Sequence, residues 1–393
     1  MIVIADDITG AAEIAGIAFC QGLRVRLVCA GSYCGTPAAG VTSDGTTVIA
    51  TDTRSLTEAE AAAETRRIAA TLPVGLHLFK KTDSALRGHV VAELSTLMQT
   101  AGYRRAVYLP ANPSKDRIIR NGIYYIKGVP IHETAFSYDP EFPARTSSMK
   151  ERFPDAAAHG IIMPDAESMD DIRRVIAHYD DGQTLFAGGA DLMKTMQTLP
   201  RPRLVREVSK YLQAPNDHST GPEESLLRLL ILCGSTQSRR LDLGIPIAPM
   251  PREVYDGEED ADYWYNALTT HHSLCTSHHS PLGNLILTIP YTHRTGKEVA
   301  IHLRTVMAEM AKRLINEHFT PHSPCEGPGE SGLHLIIEGG ATAWATLQAL
   351  GWTAFTIECQ IAPGVVQMRA DNGTLVTLKP GSYPWGGLFS GER

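Results

Sequence analysis

MIVIADDITGA, residues 1–11, holds the key to the architecture. Met1–Ala5 is apolar and stops at Asp6-Asp7. An apolar run that short, closed by polar residues, reads as a buried strand. Thr9–Gln21, rich in alanine and isoleucine, reads as the helix that follows. Strand, acidic turn and helix make the opening unit of a parallel α/β sheet, and the unit recurs. Arg24–Cys29, Val48–Ala50, Leu76–Phe79, Ala106–Leu109, His159–Met163 and Thr184–Ala187 are further short apolar runs. Thr57–Leu72, Val90–Ala101 and Met169–Tyr179 are helical stretches between them. QAPNDHSTGPEE, residues 213–224, has the composition of a linker. Beyond it the alternation restarts, with strands at Leu226–Cys233, Asn284–Ile289 and Leu333–Ile337 and helices at Lys297–Phe319 and Thr342–Leu350. Gln367–Ala370 and Leu375–Leu378 flank Asp371-Asn372-Gly373 as a hairpin. The expectation is an α/β protein of two domains, 1–212 and 225–393, each a mostly parallel sheet flanked by helices. The active site falls in the cleft between them. Pro110–Thr134 reads as a long shaped loop and Thr320–Gly332 as a mobile one.

Composition sets outer limits. With 43% hydrophobic and 20% charged residues, the 393-residue chain has apolar material for two cores, so it is not wholly disordered. There is no apolar run of about 18 residues, so no membrane-spanning helix is expected. The N-terminal apolar run is too short for a signal peptide, which makes a cytoplasmic location the expectation. A net charge of −7 would repel a nucleic-acid backbone. The seven cysteines form no Cys-x-x-Cys pair and read as reduced thiols, with Cys20, Cys29 and Cys233 in the core. His271-His272 and His278-His279 lack a metal-binding framework, and no metal ligand is assigned.

Ligands of α/β sheets bind beyond the carboxyl ends of the strands. After the first strand come Asp6 and Asp7. One aspartate serves to cap the helix; two beside Gly10 exceed that need, and a carboxylate here could take a proton from a substrate hydroxyl or hold a metal-bound water. After Leu76–Phe79 comes KKTDSALRG, residues 80–88. Lys81 and Arg87 could clamp an anion while Asp83 binds a hydroxyl, a mix suited to a polyhydroxy acid; a solvated charged loop is the plain alternative. In the second half, three glycine turns follow strands: Gly234-Ser235, Gly339-Gly340-Ala341-Thr342, and Lys379-Pro380-Gly381. Backbone N–H groups at such turns attract phosphate, although none is a Walker A or Gly-x-Gly-x-x-Gly sequence.

Taken together, these motifs resemble the four-carbon acid sugar kinase family. The segments that carry the resemblance are IADDITGA (4–11), KKTDSALRG (80–88), PANPSKDR with IRNGIYYIKGVPIHET (110–134), DPEFPARTS (139–147), CGSTQS (233–238), EGGAT (338–342), PGV (363–365) and LKPGSY (378–383). The resemblance implies a kinase that uses ATP and Mg2+ to phosphorylate threonate, erythronate or an oxo-tetronate. It implies an acid-sugar site in the first half and a nucleotide site in the second. Asp7 and Asp83 are then the candidate catalytic residues, with Asp7 preferred as base. Asp6, Lys81, Ser84 and Arg87 bind the acid, and Ser235, Gly339, Gly340, Ala341, Thr342, Lys379 and Gly381 bind the nucleotide. The chain departs from the family at Glu13, where aspartate is common. It departs again at Pro380, which removes an N–H donor beside Lys379. A non-catalytic sensor of sugar acid or nucleotide is the rival reading, and a dinucleotide oxidoreductase a second. The sequence leaves the oligomeric state open, a homodimer included.

Overall fold

The computed structural model describes residues 1–32, 45–72, 77–139, 141–198, 228–234, 243–271, 283–319, 332–381, 383 and 385. The linker at 213–224, Ser235, the second histidine pair and nearly all of Thr320–Gly332 lie outside the described residues.

The first half runs β1 (Ile2–Ala5), α1 (Ile8–Cys20), β2 (Val25–Cys29), β3 (Thr46–Ala50), α2 (Glu58–Thr71), β4 (Leu78–Lys81), α3 (Val90–Ala101) and β5 (Arg105–Leu109). Then come β6 (Arg117–Arg120), β7 (Ile123–Ile126), β8 (Val129–Pro130), α4 (Met149–Arg152), β9 (Ile161–Ile162), α5 (Met169–Tyr179), β10 (Thr184–Gly188) and α6 (Ala190–Thr198). The second half runs β11 (Arg228–Cys233), β12 (Ile247–Pro249), α7 (Arg252–Asp256), α8 (Ala261–His271), β13 (Leu285–Thr288) and α9 (Lys297–Leu314). It ends with β14 (Leu333–Glu338), α10 (Gly340–Leu350), β15 (Ala354–Ala362), β16 (Val365–Ala370) and β17 (Leu375–Lys379). Local chemistry starts several helices where they start: Thr57 with Glu60, and Ser168 with Asp171, form capping boxes on α2 and α5.

The two expected sheets are halves of one 14-stranded sheet, ordered β12-β13-β11-β14-β17-β16-β15-β2-β3-β1-β4-β10-β5-β9. Each half is mostly parallel. They join where β15 pairs antiparallel with β2, Ala354 opposite Val28. Helix α1 seals this joint. It is buried almost all round, as an Ala/Ile-rich helix must be. A Cβ at Gly16 would stand 2.8 Å from Val366 Cγ2, so glycine lets the helix lie close on β16.

The joint also aims the site. Three antiparallel pairings separate β1 from β14, so their carboxyl ends would point opposite ways in a flat sheet. Sheets twist by about 20–25° per strand, and six steps along the strand order rotate β14 by roughly 120–150° relative to β1. That rotation turns the two carboxyl ends back toward each other.

Some expectations change. Residues 110–134 are no long loop: they include the antiparallel meander β6-β7-β8. Asn121-Gly122 and Lys127-Gly128 all have positive φ, as tight hairpin turns require. The run His159–Met163 shrinks to the two residues of β9, because Ala157–His159 is a 3-10 turn. Cys29 and Cys233 are buried, but Cys20 ends α1 and is exposed. Among the described residues no helix is long and apolar enough to cross a membrane.

Candidate active site

At the carboxyl end of β1, Asp7 caps α1. Its Oδ1 accepts from the Gly10 N–H at 2.9 Å and its Oδ2 from the Thr9 hydroxyl at 2.6 Å. Only glycine fits at position 10, since a Cβ there would meet Asp7 Oδ1 at 2.6 Å and Lys81 Nζ at 3.1 Å. Capping alone would leave Asp6 without a role, yet Asp6 is buried beside it. Between them sits Arg54, a residue the sequence reading passed over. Its Nε and Nη2 donate to Asp6 Oδ2 at 3.0 and 2.9 Å, and its Nη1 donates to Asp7 Oδ2 at 3.2 Å. The same Nη2 lies 3.7 Å from Asp83 Oδ1. Arg54 follows the carboxyl end of β3 in TDTRS, the kind of position where ligand groups gather, but nothing local in that turn sets it apart.

The adjacent aspartates are driven apart electrostatically. Burial raises the Asp6 carboxyl above its ordinary value, and Arg54 only partly offsets that. Burial acts on Asp7 as well, but Arg54, Lys81 and the Thr9 hydroxyl outweigh it and hold Asp7 below the usual range. Asp83 is held well below: burial opposes its charge, while Arg87 grips both oxygens at 2.9 and 3.0 Å. Asp6 Oδ1 is buried with no hydrogen-bond partner.

The other cations expected to grip an anion are also paired. Arg87 adds Asp139 at 3.4 Å. Lys81 stands 3.5 Å from Glu13 and donates to the Thr82 carbonyl at 3.0 Å. Glu13 further holds Lys115 at 2.5 Å, and Lys115 donates to the Tyr383 hydroxyl at 2.6 Å. Tyr383 belongs to the second half, so this cluster bridges the two halves. Ser84 Oγ accepts from Arg117.

The second half presents its turns at one sheet end. Register places Cys233, Glu338 and Lys379 side by side on β11, β14 and β17, so the turns after them open together. Gly234 packs directly on Thr342: a Cβ at Gly234 would stand 2.0 Å from its hydroxyl. Gly339 and Gly340 begin α10, and Ala341 is exposed at its tip. Lys379 is buried, ion-paired with Glu338, and donates to the Pro380 carbonyl at 3.1 Å, next to Gly381.

The two sheet ends meet at Gly340. A Cβ there would lie 3.1 Å from Thr9 Oγ1 and 3.3 Å from Asp7 Oδ2. The positive ends of α1 and α10 thus converge on one carboxylate. Beside them, between the halves, opens a cavity of about 520 Å3 lined by Thr51, Asp52, Arg67, Trp344 and Gln348. Among the described residues no three His, Cys, Asp or Glu side chains are arranged to hold an ion alone. Mg2+ needs no such cage, because it binds through one or two carboxylates, waters and substrate phosphates. The unpartnered Asp6 oxygen fits that use.

Known proteins similar to this chain fall in one group. Residues 1–155 match the family described as a sugar-binding N-terminal domain. D-threonate kinase of Salmonella typhimurium is 32% identical over 155 residues, which are 38% of this chain and 35% of that protein. The chain therefore covers about a third of that relative. 3-Oxo-tetronate kinase of Brucella melitensis is 26% identical over 97% of this chain and 92% of its own. In fold, a Salmonella typhimurium LT2 protein solved as a candidate tRNA synthase superposes with a TM-score of 0.68 at 17% identity, covering 99% of this chain and 97% of that one. A Haemophilus influenzae protein of the DUF1537 family gives 0.60 at 19% identity, covering 98% and 97%. The resemblance to the four-carbon acid sugar kinase family holds.

Proposed function

We propose that this chain, a relative of the four-carbon acid sugar kinases, transfers the γ-phosphoryl group of ATP to a hydroxyl of a small four-carbon acid sugar. The class is that of threonate, erythronate and the oxo-tetronates. The observation that carries the reading is the approach of Gly340 to Asp7 and Thr9, which sets a glycine-opened helix start against a carboxylate. Phosphoryl transfer needs in-line placement and charge neutralisation more than covalent help. The acid sugar lies beside Asp6, Lys81, Ser84 and Arg87. The amides of Gly339–Thr342 and the Gly381 turn hold the phosphates, with Ser235 and Lys379 beside them. Asp7, ionised at neutral pH, takes the proton of the attacking hydroxyl; its oxygen bonds to the γ-phosphorus while the bond to ADP breaks. Asp83, gripped by Arg87, orders the acid-sugar side. Mg2+, held through Asp6, would neutralise phosphate charge when bound.

The test is ADP release with ATP and Mg2+ over threonate, erythronate and their oxo derivatives. Acid-dependent release is expected. Tight binding of one of these acids with no release would leave a sensor in place of an enzyme.

A further inference from the structure

Among the described residues, two arginines near the acidic turns, Arg152 and Arg117, make no ion pair. Arg54 is shared by Asp6, Asp7 and Asp83. Arg87 is held by Asp83 and Asp139. Lys81 and Lys115 both turn to Glu13. Arg152 is taken up by the carbonyls of Pro143, Leu86 and Phe142. Arg117 differs. Its Nη1 donates to the Ser84 hydroxyl, and its guanidinium carbon lies 5.7 Å from the Phe136 ring centroid. Among the described residues it has no carboxylate partner within ion-pair distance.

We propose that Arg117 binds the carboxylate end of the acid substrate, with Ser84 and Phe136 fixing its plane. The inference rests on the acid-sugar reading above and goes beyond it in assigning the anionic end to one side chain. Three features make Arg117 fit. It is half-buried, so a carboxylate that reaches it is partly desolvated. Its fork matches both oxygens of a carboxylate. It stands at the start of β6, tied to the residue after Asp83 on one side, and its charge is felt by Tyr383 of the second half on the other. An acid held there has its hydroxyl chain beside the aspartates. Lys81 and Arg87, by contrast, would first have to leave buried carboxylates.

The experiment is calorimetry of threonate and of threitol, the neutral four-carbon polyol, with wild type, Arg117→Ala and Arg117→Lys, and ADP release measured alongside. Wild type should bind threonate and discriminate strongly against threitol. Arg117→Ala should weaken threonate on the order of 10- to 100-fold, as loss of a charged hydrogen-bond pair does, and leave threitol unchanged. Arg117→Lys keeps the charge without the fork and should fall between. It carries the test should the alanine variant melt early. Threonate affinity unchanged in both variants would overturn the assignment while leaving kinase activity standing. Affinity lost in the variants, with no ADP release from wild type, would uphold the assignment and sink the kinase reading. Failure of wild type to bind any four-carbon acid would overturn both.

Discussion

Arg54→Ala removes the one guanidinium shared by Asp6, Asp7 and Asp83. Its side chain is 14% exposed and that of Asp6 2%, so water cannot readily replace it. Removing one partner of a buried ion pair costs about 3–5 kcal/mol, since the other charge stays behind unpaired. Asp6 loses its ion pair outright, whereas Asp83 keeps Arg87 and Asp7 keeps the attraction of Lys81, which argues for the lower end of that range. The pH dependence has a definite sign. Without Arg54 the carboxyls of Asp6 and Asp7 rise, while Arg87 still holds Asp83, so the folded protein binds extra protons. Stability then falls as pH climbs from about 4 through the raised values. The deficit against wild type is therefore largest at pH 7.5 and shrinks toward pH 5. Urea unfolding at the two pH values measures it, and Arg54→Lys, which keeps a charge, should recover part of the loss. A deficit that is absent, or equal at both pH values, would refute the idea that this cation sets the protonation of the buried aspartates.

Three further outcomes are expected. Asp7→Asn should still cap α1. It should leave ATP affinity near wild type and cut ADP release by about 10²–10⁴-fold; retention of most activity would move the base elsewhere. Gly340→Ala places a methyl 3.1 Å from Thr9 Oγ1. Alanine favours a helix by up to about 1 kcal/mol, so stability should hardly change while ADP release drops; undiminished release would show that the helix ends need not close on each other. Asp52→Asn tests a carboxyl that burial raises from 3.8 to about 6, against its Ser55 hydrogen bond and the attraction of Arg304. A raised folded value means stability is lost as pH rises from about 4 through about 6, with a ceiling of about 3 kcal/mol. Asparagine tolerates the left-handed backbone at this position (φ 52°) and should raise the unfolding midpoint at pH 7.5 but not at pH 4; an equal gain at both would disprove the cause.

How much could be read beforehand depended on range. Strands and helices of the first half were legible because each is a local apolar pattern: Val90–Ala101 and Met169–Tyr179 coincide with α3 and α5 residue for residue. The meander at Arg117–Pro130 was obscured by Gly122, Gly128 and Pro130, although Asn121-Gly122 is a strong hairpin signal. Asp7 was legible because it follows a strand and precedes a helix. Arg54 was not, because TDTRS by itself looks like a turn; its role exists only where β3 lies beside β1 and brings it to Asp6. The Glu13–Lys115–Tyr383 cluster joins residues 370 positions apart in sequence, and no local pattern encodes that contact.

The same difference in range accounts for the site itself. Each half, by its own pattern, specifies only a sheet with ligand groups at its carboxyl edge. What turns two such edges into one site is the antiparallel pairing of Ala354–Thr356 with Arg26–Val28, together with sheet twist. Had β15 joined β2 in parallel, the same twist would carry the glycine turns away from Asp7. The short pairing is sealed by α1, and α1 is also the helix capped by Asp7. Packing at Gly16 and chemistry at Asp7 are thus two ends of one rigid element, and a shift of α1 on β16 would move the carboxylate relative to Gly340. The tolerance is small, because Gly340 has room for little more than hydrogen before it meets Asp7 and Thr9. The alignment of acceptor and donor groups is therefore set by the sheet joint more than by any loop at the site.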